Sequence, residues 1–334
     1  MQNLPPLPLI DGCLFIDNSM LELLITCPRA LQYNKLHQRI AAADKPSLSF
    51  GSAIHKALEY RYAECVEADP YCEEGQIQVL TKYFESAPAP VDDWRNLNWA
   101  VELIKKYNER YRLEPFNVLK TPDDHPLVEL SFAIELYQHV PVYDPAVDCK
   151  VVPVMYSGRI DLPVQWDNML FVLDHKTTSM LGSQFFERAA MSAQQRGYCW
   201  AFEKLTGQKV NGYCINAIRT KEPPQYIFNS EKAAPKGQSP DKWWAESFQR
   251  EKFFTTPAAI EEWRQNTIEL CEEFFWHYSR GVMPMKTAWC CQFGRCQYYD
   301  VCTLPAESRG TMLESGLYTN NVWSPLREPS QAKQ

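Results

Sequence analysis

KVVPVMYSGRIDLPVQW (150–166) and NMLFVLDHKTT (168–178) decide the fold. Both runs are rich in β-branched and aromatic residues, which favours strands. Asp167-Asn168 between them is a tight-turn pair, so the two runs read as a hairpin. Side chains alternate along a strand, so Asp174 and Lys176 share one face of the second run. Pairing across the hairpin sets Asp161 opposite Asp174. Two carboxylates and an ammonium then converge just after the apolar stretch Leu170-Phe171-Val172-Leu173. Charges in that position, on a central strand, need compensating partners.

Outward from the hairpin, VELSFAIEL (128–136) alternates as a strand, and VNGYCINAIRT (210–220) is another. A helix is expected over 183–205 and a longer one over 257–280. The first third is helical. Asn18-Ser19 can cap a helix through MLELLITCPRALQYNKL, with Pro28 interrupting it. Ile54, Leu58, Tyr62 and Val66 recur at helical spacing, and 75–113 is helical apart from PAPVDD. EPPQYIFNSEKAAPKGQSPDKW reads as an irregular polar insert. The expected class is α/β: a mixed central sheet flanked by helices, a helical N-terminal part and a Cys-rich C-terminal segment. Residues 1–17 read as extended, 18–304 as a single domain, and 305–334 as a loop-like or disordered tail.

The 334 residues, 45% hydrophobic and 22% charged, suit a globular chain with a real core. No stretch approaches the roughly 20 apolar residues of a membrane span. The N-terminus lacks the basic region and apolar core of a signal peptide. A cytoplasmic protein is expected. The net charge of -7 argues against tight coating of nucleic acid, but an acidic metal site contributes to it.

Hard carboxylate oxygens select Mg²⁺ or Mn²⁺. Such an ion polarises a phosphate and activates water, and a nearby lysine offsets developing charge. His55, early in a helix, can add one imidazole, and the carbonyl of His175 a further oxygen. D-x-K alone is too short to be specific, and solvated surface pairs often match it. Its context here raises its weight.

GSAIH (51–55), GRID (158–161), DHK (174–176) and QQRGY (194–198) occur in order. Together they resemble the RecB/AddB-like branch of the PD-(D/E)xK nucleases, which includes iron–sulfur CRISPR-associated and phage-encoded relatives. The resemblance spans roughly 18–304. It implies a restriction-endonuclease-like core and a metal-dependent DNA nuclease. His55, Asp161 and Asp174 would be metal ligands and Lys176 the catalytic lysine. Gln194 and Tyr198 would form a Q-x-x-x-Y motif near DNA. Asp174 stands where many relatives carry Glu, and Glu129 falls on the strand where relatives often carry one. Relatives often act on single strands or DNA ends, so an exonuclease of recombination, repair or phage DNA processing is expected, with a possible helicase or recombinase partner. The alternative is a non-cleaving DNA-binding or interaction subunit. Tyr198, Trp243 and Trp244 are candidates for stacking on bases, with core packing as the plainer role.

The chain has twelve cysteines. WCCQFGRCQYYDVC (289–302) puts several thiols within a dozen residues, which suggests a soft-metal site. A fourth ligand must come from elsewhere, and Cys27 in TCPRALQY is the candidate. The same resemblance implies a four-iron four-sulfur cluster on Cys27, Cys290, Cys296 and Cys302. Cys291 competes with Cys290, and Zn²⁺ competes with the cluster. The other cysteines, Cys65 and Cys72 among them, read as small buried apolar residues, since a reducing compartment disfavours disulfides.

Overall fold

The computed structural model describes residues 4–42, 46–65, 70–90, 93–141, 151–227, 232, 234–288, 290 and 295–322. The strands are β1 (Leu14–Ile16), β2 (Arg39–Ala41), β3 (Asn117–Val118), β4 (Leu130–His139), β5 (Val152–Ile160), β6 (Leu162–Trp166), β7 (Met169–Thr178), β8 (Gly212–Arg219), β9 (Phe248–Phe254) and β10 (Tyr318–Asn320). The helices are α1 (Asn18–Thr26), α2 (Pro28–Leu31), α3 (Pro46–Glu64), α4 (Pro70–Ser86), α5 (Leu97–Arg110), α6 (Ser183–Ala190), α7 (Ala193–Thr206), α8 (Pro240–Ala245), α9 (Pro257–Ser279), α10 (Tyr299–Thr303) and α11 (Arg309–Leu313). This is the expected mixed α/β class.

The chain divides into two compact units. The sheet unit comprises Lys45–Leu130 and Arg159–Pro257. Its five strands run β3-β6-β7-β8-β9. β6 and β7 form the hairpin, and both turn residues, Asp167 (φ 52°) and Asn168 (φ 60°), take the left-handed conformation of a two-residue hairpin turn. β7 runs parallel to β8, with α6 and α7 in the crossover, and β8 runs antiparallel to β9. On one face Phe50, Ile54 and Leu58 of α3 and Leu103 and Tyr107 of α5 pack with Leu162, Phe171 and Leu173. Each such burial stabilises by about 1.5–3 kcal/mol. The alternation of β7 sends Lys176 to the opposite side, where it meets Gln194 of α7.

The terminal unit comprises Met1–Asp44, Ser131–Gly158 and Ala258–Gln334. It holds the small sheet β1-β5-β4 and the pair β10-β2. Trp263 of α9 packs on Tyr156 of β5, with ring centroids 5.0 Å apart.

Several expectations need correction. The run 150–166 is two strands, because Asp161 leaves the ladder: its carbonyl accepts the Glu129 N–H and its carboxylate the His175 N–H. The helix expected over 183–205 breaks at Met191-Ser192, where Ser192 caps α7. α1 is capped by Asp17, whose carboxylate accepts the Met20 N–H at 2.7 Å, rather than by Asn18-Ser19. FQREKFF becomes β9, an edge strand that its charges concealed. Residues 306–320, expected to be loop-like, carry α11 and β10, and Tyr318 stacks on Tyr298 at 8°. The tail SPLREPSQAKQ, Cys149 and Cys291 lie outside the described residues.

Trp243 is buried in the core, and Trp244, partly buried, packs against that core by stacking on Trp99 and Phe248, so both serve packing rather than as open base platforms. Cys65 and Cys72 are joined as a disulfide rather than being separate apolar residues. Cys65 follows α3, Cys72 lies in the first turn of α4, and their Cα atoms are 5.7 Å apart. No helix among the described residues is long and apolar enough to cross a membrane.

Candidate metal and catalytic centre

The centre lies wholly in the sheet unit. α3 supplies His55. A methyl group at Gly51 would come within 2.8 Å of Thr177 Oγ1, so glycine permits the close approach of α3 to β7 one turn before His55. His55 Nδ1 then lies 3.7 Å from Asp161 Oδ2. Burial pulls the His55 pKa down to about 4, opposed by Asp174 and by hydrogen bonding to the His175 backbone. The ring is therefore neutral near pH 7, with a lone pair to offer.

Asp161 occupies the break between β5 and β6. Its Oδ2 accepts the His175 N–H at 2.8 Å. Burial, then the neighbouring Asp174 and Glu129 carboxylates, hold its pKa well above the usual range. Glu129 precedes β4 in a left-handed conformation (φ 52°) unusual for a side-chain-bearing residue. It pairs with Arg159, and burial pushes its pKa up to about 7. Donor atoms of His55, Glu129 and Asp161 all lie within 4.8 Å of one another. Sequence reading gave Glu129 only by family position. The chain's order hides it, because it lies 32 positions before Asp161.

Asp174 and Lys176 share a face of β7 and are ion-paired at 2.8 Å. Burial lowers the Lys176 pKa, but Asp174 and Asp161 outweigh it and the net shift is upward. Lys176 Nζ also donates to Gln194 Oε1 at 3.0 Å, and Gln194 Nε2 to the Tyr198 hydroxyl at 2.9 Å. The i, i+4 spacing on α7 aligns those two side chains. Tyr198 is only 7% exposed, so its ring is not an open stacking surface. The His175 imidazole faces away from Lys176. It meets Asn216 at 2.6 Å and stacks on Tyr62, leaving its backbone toward the centre.

The donor set is oxygen-rich with one neutral imidazole, which fits Mg²⁺ or Mn²⁺ chemically.

The four cysteines lie in the terminal unit. Cys27 joins α1 to α2 and packs with Cys296 and Cys302 against a small core of Ala30, Tyr33, Tyr298, Val301, Leu313 and Tyr318. Burial raises the Cys302 pKa, and Cys27 and Cys296 add to the rise. Cys290 is tied in by its carbonyl, which accepts the Cys296 N–H at 2.7 Å. All four are of intermediate exposure, and together they make a donor set suited to a soft metal.

No curated protein matches the sequence. A solved structure titled "Crystal structure of SSO0001" matches at 12% identity and a TM-score of 0.29, covering 85% of this chain and 95% of that one. The profile of the PD-(D/E)XK nuclease superfamily matches residues 18–303, a span that contains every group of the centre just described, and the chain belongs to that superfamily.

Proposed function

We propose that the chain is a metal-dependent deoxyribonuclease, with His55, Glu129, Asp161 and Asp174 as donors to a divalent ion and Lys176 as the catalytic lysine. The gathering of three donor side chains within 4.8 Å, beside the Asp174–Lys176 pair, carries this reading. A bound Mg²⁺ or Mn²⁺ supplies Lewis acidity at the scissile phosphate and lowers the pKa of a water. His55 offers a neutral nitrogen, and the His175 carbonyl is read as a further oxygen donor. Lys176, held between Asp174 and Gln194, keeps its ammonium where negative charge develops on the phosphate. Tyr198 fixes Gln194, so the pair positions the lysine beside the DNA.

The proposed substrate is DNA, single-stranded or with free ends. The proposed action is exonucleolytic, in recombination, repair or phage DNA processing in the cytoplasm, with a helicase or recombinase partner. Cys27, Cys290, Cys296 and Cys302 are read as holders of a four-iron four-sulfur cluster, with Zn²⁺ the alternative. Bound there, it would link Met1–Asp44 to Ala258–Gln334 and so close the nuclease domain of residues 18–304.

The test is incubation with linear and circular single-stranded DNA and linear duplex, with Mg²⁺ or Mn²⁺. Digestion of linear DNA alone supports the exonuclease. Cutting of the circle makes it an endonuclease. No cutting by folded, metal-supplied protein overturns the enzyme in favour of a DNA-binding subunit.

A further inference from the structure

A polar row crosses the sheet beneath the centre. His175 on β7 is in register with Asn216 on β8, and Asn216 with Arg250 on β9. All three side chains project to the face covered by α3 and α5. Asn216 is fully buried and His175 is 3% exposed.

The hydrogen bonds along this row have a fixed direction. Arg250 can only donate, so its Nε bond of 3.0 Å makes the Asn216 oxygen the acceptor. The Asn216 amide nitrogen is thereby turned toward Tyr107, at 2.8 Å, and His175 Nδ1, at 2.6 Å. A nitrogen facing an N–H donor at that distance must carry a lone pair. His175 is thus held as the neutral tautomer with its proton on Nε2. Arg250 is itself anchored on Glu114 and on the hydroxyls of Tyr62 and Tyr107. Tyr62 in turn stacks on the His175 ring at 5.5 Å and 15°. The ring is clamped at its edge and on its face.

This clamp reaches the centre by two routes. The His175 backbone N–H holds Asp161 Oδ2 at 2.8 Å, and the His175 ring meets the His55 ring edge-on at 6.1 Å. We propose that Asn216 is a positioning residue for the metal centre: through His175 it fixes the orientation of Asp161 and His55. Arg250 sets the direction of the Asn216 amide. The proposal rests on the reading of His55 and Asp161 as metal donors. It concerns their geometry before any DNA binds.

The test is Mn²⁺ binding by calorimetry, without DNA, on wild type, Asn216→Ser and Asn216→Asp. Serine is too short to span His175 and Arg250. Its expected effect is about a tenfold loss of Mn²⁺ affinity, the usual scale for groups that orient metal ligands. Aspartate can accept from Arg250 and bond His175 after a tautomer shift, so affinity close to wild type is expected. Unchanged affinity in N216S overturns the role. Equal weakening in N216S and N216D also overturns it, because a purely structural role would not respond to the bonding pattern. Should N216S fail to fold, H175L and H175N replace it. The leucine loses the contact and the asparagine keeps it, so equal affinity in those two overturns the proposal. Wild type that binds Mn²⁺ but cuts no DNA removes the nuclease reading and leaves this one standing. Wild type that binds no Mn²⁺ overturns both.

Discussion

The carboxylate–lysine centre and the cysteine group are built by opposite means. In the sheet unit, register does the placing: His175, Asn216 and Arg250 follow from strand pairing, and Asp174 and Lys176 from alternation on β7. Each of these five side chains has a hydrogen-bonding or ion-pair partner. In the terminal unit, thiols from both ends of the chain gather on a core of six residues. On the proposed reading, a site of the first kind is produced by folding and holds crowded carboxylates, whereas a site of the second kind would contribute to folding through the metal it binds. The two should therefore respond in opposite directions to loss of a ligand.

The largest effect expected is from Asp161→Asn. It removes a charge but can still accept the His175 N–H. Cleavage should fall by at least about a thousandfold, or ~4 kcal/mol, in single-turnover assays. The metal-free protein should melt no lower than wild type, because Asp161 is crowded by Asp174 and Glu129. A lower Tm would show that the centre is not strained.

Cys302→Ser should do the reverse in stability. Loss of about 3 kcal/mol or more, and several degrees in Tm, is expected, since metal binding free energy is folding free energy. Anaerobically purified wild type should absorb broadly in the visible range, and the variant should not. A colourless wild type containing one zinc per chain would replace the cluster with Zn²⁺. An unchanged Tm would remove the contrast between the two sites.

A smaller effect is expected with pH. The folded Glu129 pKa, about 7, lies above its ordinary 4.5. Its contribution to stability is complete below the ordinary value and is lost as pH rises through about 7. A divalent ion needs the carboxylate form, so the proton competes with it. The Tm gain from Mn²⁺ should grow between about pH 6 and pH 8. A gain independent of pH would exclude Glu129 as a donor.

Local patterns made half of the centre legible. The Asp167-Asn168 turn, the shared face of Asp174 and Lys176, and the four-residue step from Gln194 to Tyr198 all depend on near neighbours. The missed features depend on distant pairing. Asp161 looks like a residue within one long strand until the Glu129 N–H and the His175 N–H draw it out of the ladder. β9 carries Arg, Glu and Lys, which suit an edge strand yet obscure its periodicity. Without β9 there is no reason to place Arg250 beside Asn216. Trp243 and Trp244 were ambiguous because composition does not distinguish a buried aromatic cluster from an exposed one.

The most direct measurement is cleavage of linear DNA by Lys176→Ala at saturating Mn²⁺, with Mn²⁺ affinity measured on the same preparation. In the proposed reading Lys176 is not a metal donor, so the variant should bind Mn²⁺ nearly as wild type does and lose cutting by at least about a hundredfold. A K176A protein that cuts as fast as wild type would contradict the account.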